Sequence, residues 1–477
     1  MFRWWMACFT CCLVAGAGAA TDTSAVAQER PVPAAEALAA YVAKPDDSFS
    51  WRVQRRYRDP HAEVLELHLE SQTWQGVLWK HQMLVIRPNR VSDPGHAVLI
   101  VGGGRWRDSY EVASDDIALP EEGKLFVAIA RALRSTVVVL GQVPFQPLFD
   151  LREDGLIAYT FDRYLKTGDT EWPLLLPMVK GAVRAIDASS AAASSEWGAP
   201  LERFTVLGGS KRGWTTWLTA AVDPRVTALA PIVIDALNME RHFPHQTEVW
   251  GAPSAQIQPY VDLDLHTVLG SPAGAELRQI VDPWSYRAAI VQPKLVILAT
   301  NDAYFPLDSA NLYWDDLPEP KYLLYLPNEP HSVEDYEPVV RGLRALHAAA
   351  GGGKPLPDLT WEYQWNDAAL TLCVRSQPGA RGLRVWQAVS GDRDFRDATW
   401  AVATEARDSA ARFELARPAT GYVAAFVEAT FGRGLRAFAL STNLAVFPAA
   451  NEAAFGTRPT GQAGECAKAP VAVLPIG

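Results

Sequence analysis

Residues 204–218 constrain the fold more than any other part of this sequence. An apolar, partly β-branched run ends at Gly208 and Gly209, one serine follows, and apolar residues then recur at helical spacing. The first part is typical of a strand buried on both faces of a parallel sheet, and the second of an amphipathic helix. Two glycines allow a turn that is too sharp for residues with a Cβ. The pattern predicts that Ser210 lies on a tight turn between a strand and a helix.

A serine in such a turn projects its hydroxyl above the sheet edge, beside the positive end of a helix dipole. The hydroxyl becomes a nucleophile only when a base takes its proton and an acid orients the base. Strand-like runs at 294–300 and 322–326 lead to suitable residues, Asp302 and His331. The order Ser210, Asp302, His331 is that of the α/β hydrolases. We therefore predict these three residues to form a catalytic triad.

The sequence departs from the usual Gly-x-Ser-x-Gly form of this turn. Arg212 stands where the second glycine is expected, and Gly213 follows it. Taken alone, Gly-Gly-Ser is more typical of a helix cap, and only the later acid and base favour the catalytic interpretation. Two other acids compete for the orienting role: Asp235 closes the preceding strand, and Asp308 follows Asp302. We favour Asp302.

A second glycine run follows the strand predicted at 97–101. We expect the oxyanion hole to combine the backbone N–H of Lys211 with one from Gly103 or Gly104. A flexible turn explains these glycines equally well. No Gly-Lys-Ser/Thr follows the run, and no Gly-x-Gly-x-x-Gly precedes a suitably spaced acid, so nucleotide binding is not expected.

Residues 235–287 lack a regular pattern and are too long for an ordinary connection, which predicts a lid over the site. A surface insertion without function is the alternative. His245 and Trp250 within this segment, together with Trp106, are candidate substrate contacts. His242 lies three residues before His245, but no third histidine or cysteine is near, so neither a metal nor another cofactor is expected.

The remaining pattern predicts two domains. Alternating strands and helices over 34–350 indicate a doubly wound sheet of the α/β class, an α/β-hydrolase fold with the lid inserted, ending in a helix over 333–350. Residues 351–358 are predicted to form a linker because they are rich in glycine and proline. About seven short strands over 359–450 predict a small immunoglobulin-like β-sandwich, and 451–477 form a tail.

Residues 1–20 have the basic start, apolar centre and small residues of a secretory signal peptide, which predicts a periplasmic or secreted protein. No later stretch is long and apolar enough for stable membrane insertion. Outside the signal, Cys373 and Cys466 are the remaining cysteines. In an oxidising compartment they are expected to pair, although two unpaired cysteines are as consistent with the sequence.

The formal net charge of −10 makes nucleic acid or an anionic lipid an improbable partner. The expected partner is a peptide or small ester substrate, and the C-terminal sandwich offers a surface for a protein or glycan. Acids in the lid region suit a cationic peptide, although ordinary solvated charge is the commoner explanation. These acids are Glu240, Glu248, Asp262, Asp264 and Asp282.

Three motifs together resemble the PhoPQ-activated pathogenicity-related protein family. They are the block at 208–226, which contains Ser-Lys-Arg-Gly-Trp-Thr, the run Val-Asp-Pro-Trp-Ser-Tyr at 281–286, and Pro-Asn-Glu-Pro-His at 327–331. The resemblance extends from about residue 35 through the C-terminal strands. It implies an α/β hydrolase, exported in bacteria and linked to resistance to cationic host peptides. By position it points to Ser210 and to its partners Asp302 and His331.

These observations predict an exported serine hydrolase that cleaves an ester or a peptide bond through an acyl-enzyme. One alternative is a catalytically silent hydrolase fold that acts in binding or signalling. Another is a carbohydrate esterase, in which Trp106, Trp250 and Trp284 stack on sugars.

Overall fold

The computed structural model describes residues 32–112, 114–450 and 471–474. The predicted signal peptide, most of the predicted tail and Cys466 lie outside the described residues. From Pro33 onward the described residues form one compact unit.

The structure alternates strands and helices in its first part and consists mainly of strands after residue 357. The helices are α1 (Ala34–Ala43), α2 (Glu121–Leu133), α3 (Glu153–Thr167), α4 (Leu175–Trp197), α5 (Lys211–Val222), α6 (Met239–Trp250), α7 (Gln258–Val261), α8 (Leu265–Leu269), α9 (Ala275–Val281) and α10 (Glu337–Ala350). The strands of the first part are β1 (Ser50–Asp59), β2 (Ala62–Trp74), β3 (Val77–Pro88), β4 (His96–Val101), β5 (Ser114–Ala118), β6 (Thr136–Leu140), β7 (Arg203–Gly209), β8 (Val226–Ile232), β9 (Lys294–Asn301) and β10 (Lys321–Pro330). Those of the second part are β11 (Asp358–Trp365), β12 (Ala369–Gln377), β13 (Gly382–Ser390), β14 (Ala401–Ala406), β15 (Ala410–Ala416), β16 (Tyr422–Phe431), β17 (Phe438–Ser441), β18 (Ala445–Pro448) and β19 (Val471–Leu474).

The centre of the fold is a run of parallel strands in the order β6-β4-β7-β8-β9-β10. Strands β7 and β9 are apolar and buried along most of their length, as expected when helices cover a parallel sheet. Helices α2, α5 and α10 pack against these strands. The predicted α/β class is confirmed. Parallel strands place all their carboxyl ends at one edge, so the residues that follow β7, β9 and β10 lie along the same edge.

Antiparallel strands extend both sides of this centre. On one side, β3 pairs with β6, β2 and β1 follow, and β5 adds to β1 in parallel. On the other side, β10 pairs with β17 through Leu323 and Ser441, and the sheet continues into β16, β13 and β14. Within the described residues this sheet has 15 strands, and β11, β12, β15 and β19 form a second sheet.

The sequence predicts a linker followed by a separate domain. The C-terminal strands are instead attached directly to the central sheet. The second sheet also packs onto the first: Tyr363 hydrogen-bonds Thr442 at 3.2 Å, and the rings of Trp365 and Phe447 lie 5.3 Å apart. The domain boundaries and the immunoglobulin-like type therefore stay predictions. Cys373 lies on β12 in a disulfide bond, and its pairing with Cys466 also stays a prediction.

The segment 235–287 contains short helices α6 to α9 rather than an irregular chain. The helical period of this segment is not evident in the sequence, because Pro244 lies inside α6 and glycines end α6 and α8. Its action as a lid stays a prediction. The last helix begins at Glu337 and not at 333, because Val333 has a φ of 50° that cannot belong to a right-handed helix. None of the helices in the described ranges is both long and apolar enough to cross a membrane.

Two buried histidines lie near the amino ends of the parallel strands, away from the edge formed by the carboxyl ends. The rings of His96, at the start of β4, and His347, on α10, lie 4.1 Å apart, and Thr205 Oγ1 hydrogen-bonds His347 Nδ1 at 2.8 Å. Burial lowers the pKa of His96 to about 4 and that of His347 to about 3. Both imidazoles are therefore neutral in the folded protein at mildly acidic pH, whereas unfolding lets them take up protons.

This difference predicts an acid-dependent loss of stability. Below the unfolded-state pKa of about 6.5 the unfolded chain binds more protons, so the free energy of unfolding falls as the pH drops toward about 4. In His347→Gln, whose amide can still bond Thr205, we expect a slope shallower by about 1.4 kcal/mol per pH unit between about pH 5.5 and 4.5. Urea unfolding at several pH values measures this slope. Equal slopes in both proteins would contradict the assignment of a neutral His347.

Candidate active site

Ser210 lies in a strained turn between β7 and α5. Its φ of 55° and ψ of −127° are unusual for a residue with a Cβ. Two backbone hydrogen bonds hold this conformation: Ser210 N–H donates to Ile232 O at 2.8 Å, and Trp214 N–H donates to Ser210 O at 3.0 Å. Strain of this kind costs about 1–3 kcal/mol and concentrates at functional sites. The turn has the geometry of the nucleophile elbow that the sequence predicted.

Close packing explains two of the glycines around the turn, Gly208 and Gly213. A Cβ on Gly208 would lie 2.6 Å from Arg212 O, and a Cβ on Gly213 would lie 2.8 Å from Ile234 Cγ2 and 2.9 Å from Gly208 O. Gly213 thus lets α5 approach the neighbouring strand ends, as the last glycine of Gly-x-Ser-x-Gly does. The sequence differs from Gly-x-Ser-x-Gly at Arg212 because this glycine lies one position later, at 213.

The packing predicts that the glycines around Ser210 differ in their tolerance of alanine. Gly213→Ala should lower the free energy of unfolding by about 1–3 kcal/mol, since its methyl group overpacks the helix against the sheet. Gly209→Ala is the matched control, because a Cβ there meets nothing within 4 Å. Urea unfolding measures both. Equal losses would contradict the close approach at Gly213.

Asp302 and His331 form a hydrogen-bonded pair at the neighbouring strand ends. Asp302 directly follows β9, and its Oδ2 lies 2.8 Å from His331 Nδ1. Its other oxygen, Oδ1, accepts the N–H of Tyr304 at 2.7 Å. Both oxygens of the Asp302 carboxylate therefore have hydrogen-bond partners. These two bonds fix the orientation in which Asp302 holds the imidazole.

The free nitrogen of His331 is the one that catalysis would need. His331 Nε2 is buried and has no hydrogen-bond partner among the described residues. The ring of Tyr304 covers the imidazole at a centroid distance of 4.1 Å. The imidazole is therefore held on one nitrogen by Asp302 and on one face by Tyr304, while Nε2 is left for another group.

The two competing acids are engaged elsewhere. Asp308 Oδ1 lies 2.7 Å from His245 Nε2, and Asp235 accepts the hydroxyl of Tyr313 at 2.6 Å. Burial opposes ionisation of Asp308, but His245 lowers the pKa of its carboxyl below the usual value. Burial raises the pKa of Asp235 well above the usual value. Of the three acids considered, the structure pairs Asp302 with His331.

Ion pairs between two mostly buried cations and two partly exposed acids tie the turn at Ser210 to α3. Lys211 Nζ lies 3.0 Å from Glu153 Oε2 and 3.2 Å from Asp154 Oδ2, and Arg212 Nη2 lies 2.8 Å from Glu153 Oε1. Burial alone would raise the pKa of Glu153, but the hydrogen bond and charge of Arg212 lower it to about 2. The two cations after Ser210 are thus neutralised by two acids, and they anchor the start of α5.

The predicted oxyanion donors lie beside the elbow. A Cβ on Gly103 would lie 2.6 Å from Arg212 Nη2, so the loop after β4 reaches the helix that follows Ser210. Gly104 has a φ of 107°, which favours glycine. Lys211 is the first residue of α5, where backbone N–H groups have no partner within the helix. The role of these N–H groups as oxyanion donors stays a prediction.

The predicted substrate contacts lie in three different surroundings. His245 is buried against Asp308. Trp250, at the end of α6, carries the guanidinium of Arg396 over its ring at 4.3 Å. Trp106 packs edge-on against His68 at a centroid distance of 5.1 Å. Contact of these side chains with a substrate stays a prediction. Within the described ranges, no group of three or more histidine, cysteine, aspartate or glutamate side chains could hold a metal ion.

Sequence reasoning missed several residues that build this site. Tyr304 lies two positions after Asp302, and an aromatic residue so close to the predicted acid could have been identified from the sequence as part of the site. Glu153 and Asp154 carried no signal, because their partners Lys211 and Arg212 are distant in sequence.

A parallel sheet with a strained serine turn and a histidine–aspartate pair at adjacent strand ends defines an α/β protein with a hydrolase-like site. The chain belongs to the PhoPQ-activated pathogenicity-related protein family, whose model matches residues 38–396. The predicted family is thus confirmed.

Known proteins similar to this chain include a eukaryotic protein and several hydrolases. Autocrine proliferation repressor protein A of Dictyostelium discoideum is 30% identical over 385 residues, covering 75% of each chain. Acetyl xylan esterase 1 from Thermoanaerobacterium sp. JW/SL YS485 is 16% identical, with a TM-score of 0.44 over 66% of this chain and 95% of the esterase. A puromycin-hydrolysing peptidase of Mycobacterium tuberculosis is 17% identical, with a TM-score of 0.39 over 62% of this chain and 40% of the peptidase.

Proposed function

We propose that this protein is a serine hydrolase that cleaves an ester or amide bond through Ser210, His331 and Asp302. The observation that carries the proposal is the hydrogen bond between His331 Nδ1 and Asp302 Oδ2, which leaves the buried Nε2 of His331 unbonded. The strained turn at Ser210 stands on the same sheet edge. In enzymes without substrate, the contact between nucleophile and base is often long, and it tightens in the complex.

The chemistry follows from these positions. His331 Nε2 takes the proton of Ser210 as Oγ attacks the carbonyl carbon, and the carbonyl oxygen becomes an oxyanion that the N–H of Lys211 and one glycine N–H stabilise. Asp302 stabilises the imidazolium. His331 then gives the proton to the leaving alcohol or amine, and an acyl group remains on Ser210. Water, deprotonated by His331, releases the acid and restores the enzyme.

The test is labelling with a fluorophosphonate probe. We expect the folded wild-type protein to be labelled and Ser210→Ala to remain unlabelled. Asp302→Asn should slow labelling by about 10³–10⁴-fold, because the amide no longer holds the imidazole in the required tautomer. Asp308→Asn is the matched control, and we expect its labelling rate to stay within about 10-fold of the wild type, since Asp308 faces His245.

Two outcomes would reject this assignment. Absence of labelling in folded wild-type protein would contradict the hydrolase proposal. Equal slowing in Asp302→Asn and Asp308→Asn, with unchanged melting temperatures, would contradict the assignment of Asp302 as the orienting acid.

A second candidate is a signalling protein that keeps the hydrolase fold. The name of the Dictyostelium relative, an autocrine proliferation repressor, favours this candidate. Its contact surface would be the C-terminal strands, where a cleft of about 880 Å³ is lined in part by Tyr322, Trp361 and Arg375. A protein that folds, represses proliferation when added to cells and leaves the probe unreacted would support this candidate over the hydrolase.

The substrate class is part of the proposal. The first candidates are peptides, including cationic ones, and small esters, and acylated sugars are the alternative. Export to the periplasm or beyond would bring the enzyme to any of these. Turnover of acetylated or methyl-esterified sugars, compared with aminoacyl arylamides, separates an esterase from a peptidase. Activity on neither, in a protein that the probe labels, would exclude both classes.

A further inference from the structure

The loop 391–400, between β13 and β14, lies across the carboxyl ends of β9 and β10. Asn301, the last residue of β9, donates from Nδ2 to the backbone oxygens of Arg396 at 3.0 Å and of Ala398 at 2.8 Å. A side-chain amide of the parallel sheet is therefore satisfied by a loop that belongs to the C-terminal strands. Asn301 is half-buried, and its two hydrogen bonds hold the loop and the strand end together.

The second strand end is held in the same way. Asn328, in β10, donates from Nδ2 to Trp400 O at 3.0 Å and accepts Trp400 N–H on Oδ1 at 2.7 Å. Trp400 is itself rigid, because its ring is buried against Phe426 of β16 at a centroid distance of 5.4 Å. The loop is thus anchored in the C-terminal core before it reaches β10.

Thr300 joins the two asparagines. Its hydroxyl donates to Asn301 Oδ1 at 2.8 Å and accepts the N–H of Asn328 at the same distance. The network ends one residue before Asp302 and three residues before His331. Asn328 has a φ of 61°, a conformation that asparagine tolerates better than most residues and that directs the chain toward His331.

The same loop also holds helix α6. Arg393 lies 3.2 Å from Glu248 and 3.7 Å from Asp308, which is hydrogen-bonded to His245 of the helix. Arg396 covers the ring of Trp250. Loop 391–400 therefore contacts the strand ends that carry the acid and the base and also the first helix of the insertion.

We propose that loop 391–400 is a positioning element of the active site, and that Asn301 and Asn328 are the positioning residues through which it acts on Asp302 and His331. The inference rests on the proposed hydrolase function. It makes the C-terminal strands part of the catalytic unit, although none of their side chains takes part in the reaction. Its physical basis is that a displacement of about 1 Å in a catalytic group can cost about 100-fold in rate.

The test compares substitutions in this network with a matched contact elsewhere. Asn328→Gly removes the side chain while tolerating the positive φ, and Asn301→Ala removes the two bonds to the loop. Asn311→Ala is the control: Asn311 Nδ2 also donates to a backbone oxygen of the C-terminal part, Leu444 O at 2.9 Å, but this oxygen lies outside loop 391–400. The readouts are the fluorophosphonate labelling rate, the melting temperature and the downfield proton resonance of His331 Nδ1–H.

We expect labelling to slow by about 10-fold or more in Asn328→Gly and Asn301→Ala, with the His331 resonance shifted or broadened. Asn311→Ala should keep the labelling rate and the resonance of the wild type, even where its melting temperature falls as far. Wild-type rate and resonance in both network variants would overturn the inference. A wild-type protein that does not react would instead overturn the hydrolase proposal, so the two failures are distinguishable.

Discussion

The hydrogen bond between His331 and Asp302 depends on a single property of parallel sheets, the gathering of all carboxyl ends at one edge. Strand β9 ends just before the acid and β10 just before the histidine, and these strands are neighbours. Adjacent strands lie about 4.8 Å apart, so side chains that follow them meet without a long connection. The serine turn after β7 stands on the same edge, two strands from β9. The order of the parallel strands therefore brings Ser210, Asp302 and His331 to one edge of the sheet.

Charge compensation supports this edge. Ser210 is followed directly by two cations, Lys211 and Arg212, whose side chains are mostly buried. Left unpaired, they would be costly to bury. Glu153 and Asp154 at the start of α3 neutralise them, and the lowered pKa of Glu153 keeps that acid ionised across the physiological range. In the proposed mechanism, the backbone N–H groups of the turn at Ser210 then stabilise the oxyanion.

The sequence predicts what is encoded locally. An apolar strand, two glycines and a helical period identify the elbow at Ser210, and the residues that follow two later strands identify Asp302 and His331. The predicted α/β class follows from the same alternation. Contacts between distant segments are not encoded in this way. Neither the pairing of Arg212 with Glu153 nor the reach of loop 391–400 to the strand ends has a local pattern. The attachment of the C-terminal strands to the central sheet was missed for the same reason. Strand β10 pairs with β17 through one residue pair, Leu323 and Ser441, and such a contact leaves no periodic pattern in the sequence.

The most direct measurement is a crystal structure of the protein after reaction with diisopropyl fluorophosphate. We expect continuous density from Ser210 Oγ to phosphorus, a phosphoryl oxygen within about 3 Å of the N–H of Lys211, and His331 Nε2 turned toward the adduct while Nδ1 keeps its bond to Asp302. An adduct on another residue, or an unmodified Ser210 with His331 directed away from it, would contradict the proposed site.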